Sequence, residues 1–264
     1  MAKKIDEDLH DRQKRVEGWN QKYIANTRCL IIGAGALGNE VIKDLAQLGV
    51  RKMYVVDFDD VVLANLNRCV LLREEDVKTG ITKAKAVAQR VKEINKKVKI
   101  VAVEKKVEEM NPKIYDRSDI IFSCLDNLAA RLYINAYAYS KNKPLIDGGM
   151  EGFFGKIQVV MPPESSCIEC TIASRDYRDM WARFSCSLEE VSFIEKKMPS
   201  LPTTTAIISG MQVQEFIKIA HKINGGSVGE PLAGKLWMYS GLTGKVEIVE
   251  VGKRADCNVC RFYE

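Results

Sequence analysis

Apolar and polar positions fall into blocks along the chain, and their period changes near residue 155. Leu30–Ile32 is a short apolar run that reads as a buried strand. Leu37, Val41, Leu45 and Leu48 follow at spacings of three and four, one face of a helix. Lys52–Asp57 reads as a second strand and ends in an acid. Thr82 suits the N-cap of a helix through Asn95, with Ala84, Val87, Val91 and Ile94 on one side. Val98–Val103 and Asp119–Cys124 read as strands and Ala129–Ser140 as a helix. Pro144–Asp147 reads as a strand stopped by Gly148-Gly149. Strands alternating with helices predict a parallel sheet with right-handed crossovers. Beyond it, Gly155–Met161 has strand character, Pro162-Pro163 breaks it, and residues 167–200 are polar and weakly periodic. Thr204–Ile223 reads as a helix, and Lys235–Ser240 with Lys245–Val251 as a closing antiparallel pair. Residues 5–26 read as a charged helix.

The first strand runs directly into Gly33-Ala-Gly-Ala-Leu-Gly38, the spacing G-x-G-x-x-G. The first glycine permits a tight turn, the second lets a phosphate approach the backbone, and the third lets helix pack on strand. The helix N-terminus directs free N–H groups and partial positive charge at that phosphate. Asp57, 19 residues after Gly38, stands where a carboxylate holds ribose hydroxyls. The fold class expected is therefore α/β, a Rossmann-like, mostly parallel sheet whose C-terminal part contains antiparallel strands.

Composition adds limits. At 264 residues, with 28% charged and 46% hydrophobic positions, the chain suits a soluble enzyme. The net charge of +5 is spread over lysines interleaved with acids, as in Glu104-Lys105-Lys106, so no nucleic-acid partner is expected. Met1–His10 lack an apolar core and no run reaches a membrane span, so no membrane partner and a cytoplasmic location are expected.

Eight cysteines in such a setting are not expected to pair as disulfides. Cys167-x-x-Cys170 and Cys257-x-x-Cys260 share one spacing and together make a four-sulfur metal site. With no coordination position left open it would be structural, a staple between the tail and the main body. Zinc fits best; iron also accepts four thiolates.

Arg68, Lys83 and Asp126 each follow a strand or open a helix on the ligand side of the sheet. Lys83 lies in the first turn of its helix, where the dipole disfavours a cation, and a bound polyphosphate explains it. Asp126 is placed to hold Mg²⁺. Together with the glycine loop they indicate a nucleotide with at least two charged phosphates.

These residues resemble the ubiquitin-activating enzyme superfamily, which includes the MoeB and ThiF adenylyltransferases of sulfur-carrier proteins. The resemblance rests on the glycine loop, Asp57-Phe-Asp59, Asn65-Leu-Asn-Arg68, Gly80-Ile-Thr-Lys83-Ala84 and Leu125-Asp-Asn127. Pro144-Leu-Ile-Asp-Gly-Gly-Met-Glu-Gly-Phe153 and Cys167-Ile-Glu-Cys170 are especially similar to catalytic subunits of eukaryotic activating enzymes. It implies one adenylation domain over 1–264: an N-terminal helix at 1–27, a nucleotide-binding core at 28–166, a zinc site and crossover stretch at 167–203, and a C-terminal helix, strands and second zinc pair at 204–264.

The resemblance implies that ATP with Mg²⁺ binds beside the C-terminal Gly-Gly of a ubiquitin-like or sulfur-carrier β-grasp protein, whose carboxylate is adenylated. Gly33, Gly35, Ala36, Gly38, Asp57, Asp59, Asn65, Arg68, Lys83, Asp126 and Asn127 would form the nucleotide site. Asp57 would hold the ribose, Asn65, Arg68 and Lys83 the phosphates, and Asp126 the Mg²⁺. Arg15, with Arg12 as second choice, would reach the partner's site in a homodimer. Cys186 would be the nucleophile that takes the acyl group as a thioester, with Arg178 and Arg183 near it in sequence. The competing choice is Cys170, which opens the string Cys170-Thr-Ile-Ala-Ser174 but is also a metal ligand. A conjugating enzyme is the further partner implied. Adenylation serving sulfur transfer, an NAD(P) oxidoreductase and a non-enzymatic half of a heterodimer are the alternatives.

Overall fold

The computed structural model describes residues 8–172 and 199–263. The described strands form a single eight-stranded sheet. β1 (Arg28–Ile32), β2 (Lys52–Val56), β3 (Lys99–Val103), β4 (Ile120–Ser123) and β5 (Leu145–Glu151) are mutually parallel. β6 (Phe154–Val160), β7 (Lys235–Ser240) and β8 (Lys245–Glu250) extend the sheet in antiparallel fashion. The order is β3-β2-β1-β4-β5-β6-β7-β8. The chain starts in the middle, walks out to β3, then crosses back to β4. That reversal opens a crevice between β1 and β4 at their C-terminal ends.

Among the described residues the α-helices are α1 (Gln21–Asn26), α2 (Ala36–Leu48), α3 (Glu74–Thr79), α4 (Lys83–Ile94), α5 (Lys113–Asp116), α6 (Leu128–Ser140) and α7 (Pro202–Lys222). Strand residues alternate between two cores, as the pleat requires. Cys29, Ile31, Met53, Val55 and Phe122 pack beneath α2, α4 and α7. Leu30, Ile32, Tyr54 and Val56 belong to the other core, with α5, α6 and the four metal-type cysteines. β1 and β4 are almost wholly buried, which explains their continuous apolar sequence.

Two expectations need correction. Residues 5–26 are not one helix: among the described residues a 3₁₀ turn at Gln13–Arg15 and α1 are separated by extended Val16 and by Gly18 at φ +76°. Within residues 8–27, the helix expected at the N-terminus is thus two short pieces. β5 also does not stop at Gly148-Gly149 but runs on to Glu151. Those glycines serve packing: a Cβ on Gly148 would lie 2.5 Å from the Gln212 carboxamide. α3 and α5 have no counterpart in the sequence reading, because each is one to two turns long and carries little apolar periodicity.

Candidate active site and metal centre

The glycine loop caps the β1–β4 crevice. Gly33 takes φ +96°, and its N–H donates to the Val56 carbonyl at 2.9 Å. A Cβ there would lie 2.6 Å from the Cys124 carbonyl oxygen. A Cβ on Gly38 would lie 1.9 Å from the Gly33 carbonyl oxygen, so the third glycine is fixed by helix–loop contact. Gly35 differs. It is the N-cap of α2 with ordinary φ, and a Cβ there would meet no described atom within 4 Å. Ala36 opens the helix beside it. Space is therefore open over Gly35 at the N-terminus of α2, the cradle where a phosphate sits in such a loop.

Acidic and basic groups ring this cradle. Asp57 follows β2, and its carboxylate accepts from the Ala34 N–H at 2.7 Å and the Asp59 N–H at 2.9 Å. Burial raises its pKa, while the Lys83 charge and those two N–H groups oppose the rise. Lys83 opens α4, and its Nζ pairs with Asp59 Oδ2 at 2.7 Å. Asp59 thus answers the dipole problem that the sequence posed at Lys83. Asn65 is buried and its Oδ1 accepts from the Val62 N–H, closing the turn before Arg68. Arg68 is half-buried and folds back on the Ala64 carbonyl and Asn67 Oδ1. Asp126 is exposed beyond β4, and Asn127 is the N-cap of α6, accepting from the Ala129 N–H at 2.8 Å.

Behind Asp126 lies a pair absent from the sequence reading. Arg131 Nε donates to Asp147 Oδ1 at 2.9 Å, and Arg131 Nη2 to Asp147 Oδ2, with both residues buried. Gln212 reaches across the sheet from α7 and donates to the Ser123 and Ile146 carbonyls, at 3.2 Å each. The available signal was a polar residue inside the apolar stripe Ile208, Phe216, Ile219.

Arg15 is not part of this cluster. It pairs with Asp11 at 2.6 Å, and Gln13, two residues earlier, donates to the Leu48 carbonyl at the far end of α2. A 13-residue helix puts that end about 20 Å from the glycine loop. Cys186 lies outside the described residues.

Cys167, Cys170, Cys257 and Cys260 converge, with all four sulfurs within 4.8 Å of one another. The Cys167–Cys257 and Cys170–Cys260 sulfurs stand 3.5 Å and 3.3 Å apart. Four ligands at about 2.3 Å from a tetrahedral ion have sulfurs about 3.8 Å apart, so the set fits such an ion. The N–H groups of Val259 and Cys260 donate to Cys257 Sγ. Buried Glu169 accepts from the Asn258 backbone and side chain at 2.9 and 2.8 Å, joining the two Cys-x-x-Cys turns. A hydrogen bond from Cys167 lowers the Cys170 pKa, and burial with neighbouring thiols raises that of Cys260.

A doubly wound sheet with a glycine loop at its crevice and a four-cysteine cluster defines a Rossmann-like α/β domain. The sequence profile of the ThiF family matches residues 9–259, and the chain belongs to that family. It is 42% identical over 158 residues to the NEDD8-activating enzyme E1 catalytic subunit of Arabidopsis thaliana, covering 55% of this chain and 34% of that protein. The SUMO-activating enzyme subunit uba-2 of Caenorhabditis elegans is 37% identical over 156 residues, 58% of this chain and 26% of that one. The adenylyltransferase and sulfurtransferase MOCS3 of Caenorhabditis briggsae is 32% identical over 263 residues, 97% of this chain and 61% of that one. The chain thus spans between about a quarter and three-fifths of these relatives' lengths. Among solved structures, E. coli MccB with AMPCPP and MccA superposes with a TM-score of 0.78 at 20% identity, covering 97% of this chain and 75% of that one. At that identity the likeness is one of fold.

Proposed function

We propose that the chain is an ATP-dependent adenylyltransferase acting on the C-terminal glycine of a ubiquitin-like or sulfur-carrier β-grasp protein. The observation that carries this is the open cradle over Gly35, ringed by Asp57, the Asp59–Lys83 pair and Asp126. In this reading the partner's carboxylate oxygen bonds to the α-phosphorus. The bond to the bridging oxygen breaks, and pyrophosphate leaves with that electron pair. Asp57 holds the ribose, and the α2 N-terminus, Asn65, Arg68 and Lys83 hold phosphate charge. Asp126 would hold Mg²⁺, which when bound would supply charge neutralisation at the pyrophosphate. Lys83 must exchange Asp59 for phosphate on binding.

Cys167, Cys170, Cys257 and Cys260 hold a structural zinc in this proposal. Cys186 is the proposed thioester nucleophile. Cys29 and Cys124 are buried thiols raised by desolvation, and burial pushes Cys69 up to about 11, so all three are poor nucleophiles. A second reading, adenylation for sulfur delivery, has its own support. MOCS3 relatives align along 93–97% of the chain, whereas the NEDD8 and SUMO relatives align along 55–58%.

The test is ATP–pyrophosphate exchange with a β-grasp partner ending in Gly-Gly. Asp126→Ala should abolish exchange, and Lys83→Ala should cost on the order of 10²-fold. Cys186→Ser should keep exchange and lose a thiol-labile adduct with the partner. Full exchange in Asp126→Ala would overturn the metal-binding assignment, and no thiol-labile adduct in the wild type would favour the sulfur-delivery reading.

A further inference from the structure

Asn39 is the first residue after the glycine loop, within the first turn of α2, and it is fully buried. Its Nδ2 donates to the Ala34 carbonyl at 2.6 Å and the Gly35 carbonyl at 3.2 Å. Its Oδ1 accepts from the Leu71 backbone N–H at 2.9 Å. Ala34 is therefore gripped twice, through its N–H by Asp57 and through its carbonyl by Asn39. Leu71 ends a tightly wound segment that begins at Asn65. The Arg68 and Cys69 N–H groups donate to the Asn65 carbonyl, and the Leu72 N–H donates to the Cys69 carbonyl. One carboxamide thus spans from the loop that cradles phosphate to the segment that carries Arg68.

The chemistry of the side chain is specific. Both ends of the bridge are backbone groups, one an acceptor and one a donor, so a short side chain carrying both functions is needed. Asp has no donor for the two carbonyls. Ser and Cys have one small group that cannot reach both strands of the bridge. Gln adds a methylene to a site with no exposed surface.

We propose that Asn39 is a positioning residue, which holds the glycine loop and the Arg68 segment in one fixed relation so that both address the same polyphosphate. This rests on the adenylation reading. Preorganised donors stabilise a transition state only while their mutual geometry is fixed, and a shift of about 1 Å costs up to roughly 10²-fold.

The test uses the full chain carrying Asn39→Ser or Asn39→Cys, each alone and combined with Arg68→Ala. Thermal melting identifies folded variants, calorimetry measures ATP·Mg²⁺ binding, and pyrophosphate exchange gives kcat and KM. The expected result is a kcat lowered by about tenfold to a hundredfold in a folded variant, with a smaller change in KM. In the Arg68→Ala background the same replacement should cost less than about twofold, because the two residues then act as one unit. A residue that only supports the core would lower the melting temperature, leave kcat unchanged at 25 °C and give losses that multiply. Either of those last two results overturns the proposal, as does failure of both replacements to fold. If the wild type binds ATP·Mg²⁺ but performs no exchange, the adenylation reading fails. The positioning role is then decided by whether the losses in binding affinity are non-additive. A wild type that binds no nucleotide overturns both.

Discussion

Asp119 shows how single side chains lock the sheet at the end away from the ligand crevice. It precedes β4 and accepts from the Arg28 backbone N–H at 2.8 Å, from Arg28 Nε at 2.9 Å and from Nη2. Burial works to raise its pKa, but the bonds from Arg28 outweigh it and the carboxyl lies below its usual 3.8. The stabilisation is therefore present above pH 3.8 and lost as pH falls through the lower folded value. Arg28 is 41% exposed, so screening keeps the effect small. Asp119→Asn should lower unfolding free energy by about 1 kcal/mol at neutral pH, and denaturant titrations should show the difference vanish in acid. At this scale the sequence was legible where residue type and spacing are distinctive, as with the glycine loop and the two Cys-x-x-Cys pairs. Asn39 and Gln212 were not legible, because the bonds Asn39 makes with Leu71 and Gln212 with Ser123 span 32 and 89 residues, and only the fold brings those groups together.

Elements were legible to within a few residues wherever apolar periodicity was strong. β1, β2, β4, α4 and β7 lie close to where the pattern put them. The misplaced stop in β5 has a physical source: glycine marks turns in sequence but here admits Gln212 and Arg131 against a strand. The C-terminal elements depend on another kind of tie. β8 is exposed along its whole length, and the segment after it returns to the body at Cys257 and Cys260. Elemental analysis should find one zinc per chain. Removing it, or making Cys257→Ser, should lower the melting temperature by about 10 °C, the shift for a loss of roughly 3–4 kcal/mol in a domain this size. Metal-free protein with unchanged melting would falsify the staple.

For the whole molecule, the distance of Arg15 from its own glycine loop gives the two-fold proposal physical content. An arginine reaches about 7 Å, so a role at the nucleotide requires a second copy whose crevice lies near the far end of α2. Mixing Arg15→Ala with Asp126→Ala chains should then restore part of the exchange activity, since a mixed dimer holds one intact site. No rescue, or a monomer by light scattering, contradicts it. The sheet topology carries a further consequence, in time rather than space. All five parallel strands lie within residues 28–151, whereas the second cysteine pair comes at 257–260. A ribosome adding about 5–20 residues per second completes the parallel half roughly 5–20 s before Cys257 is made. The staple is then a closure that can form only after the parallel half is complete. A cell short of zinc would accumulate chains with an assembled nucleotide half and an unsecured tail, which proteolysis after pulse labelling can detect as a protected fragment ending near residue 170.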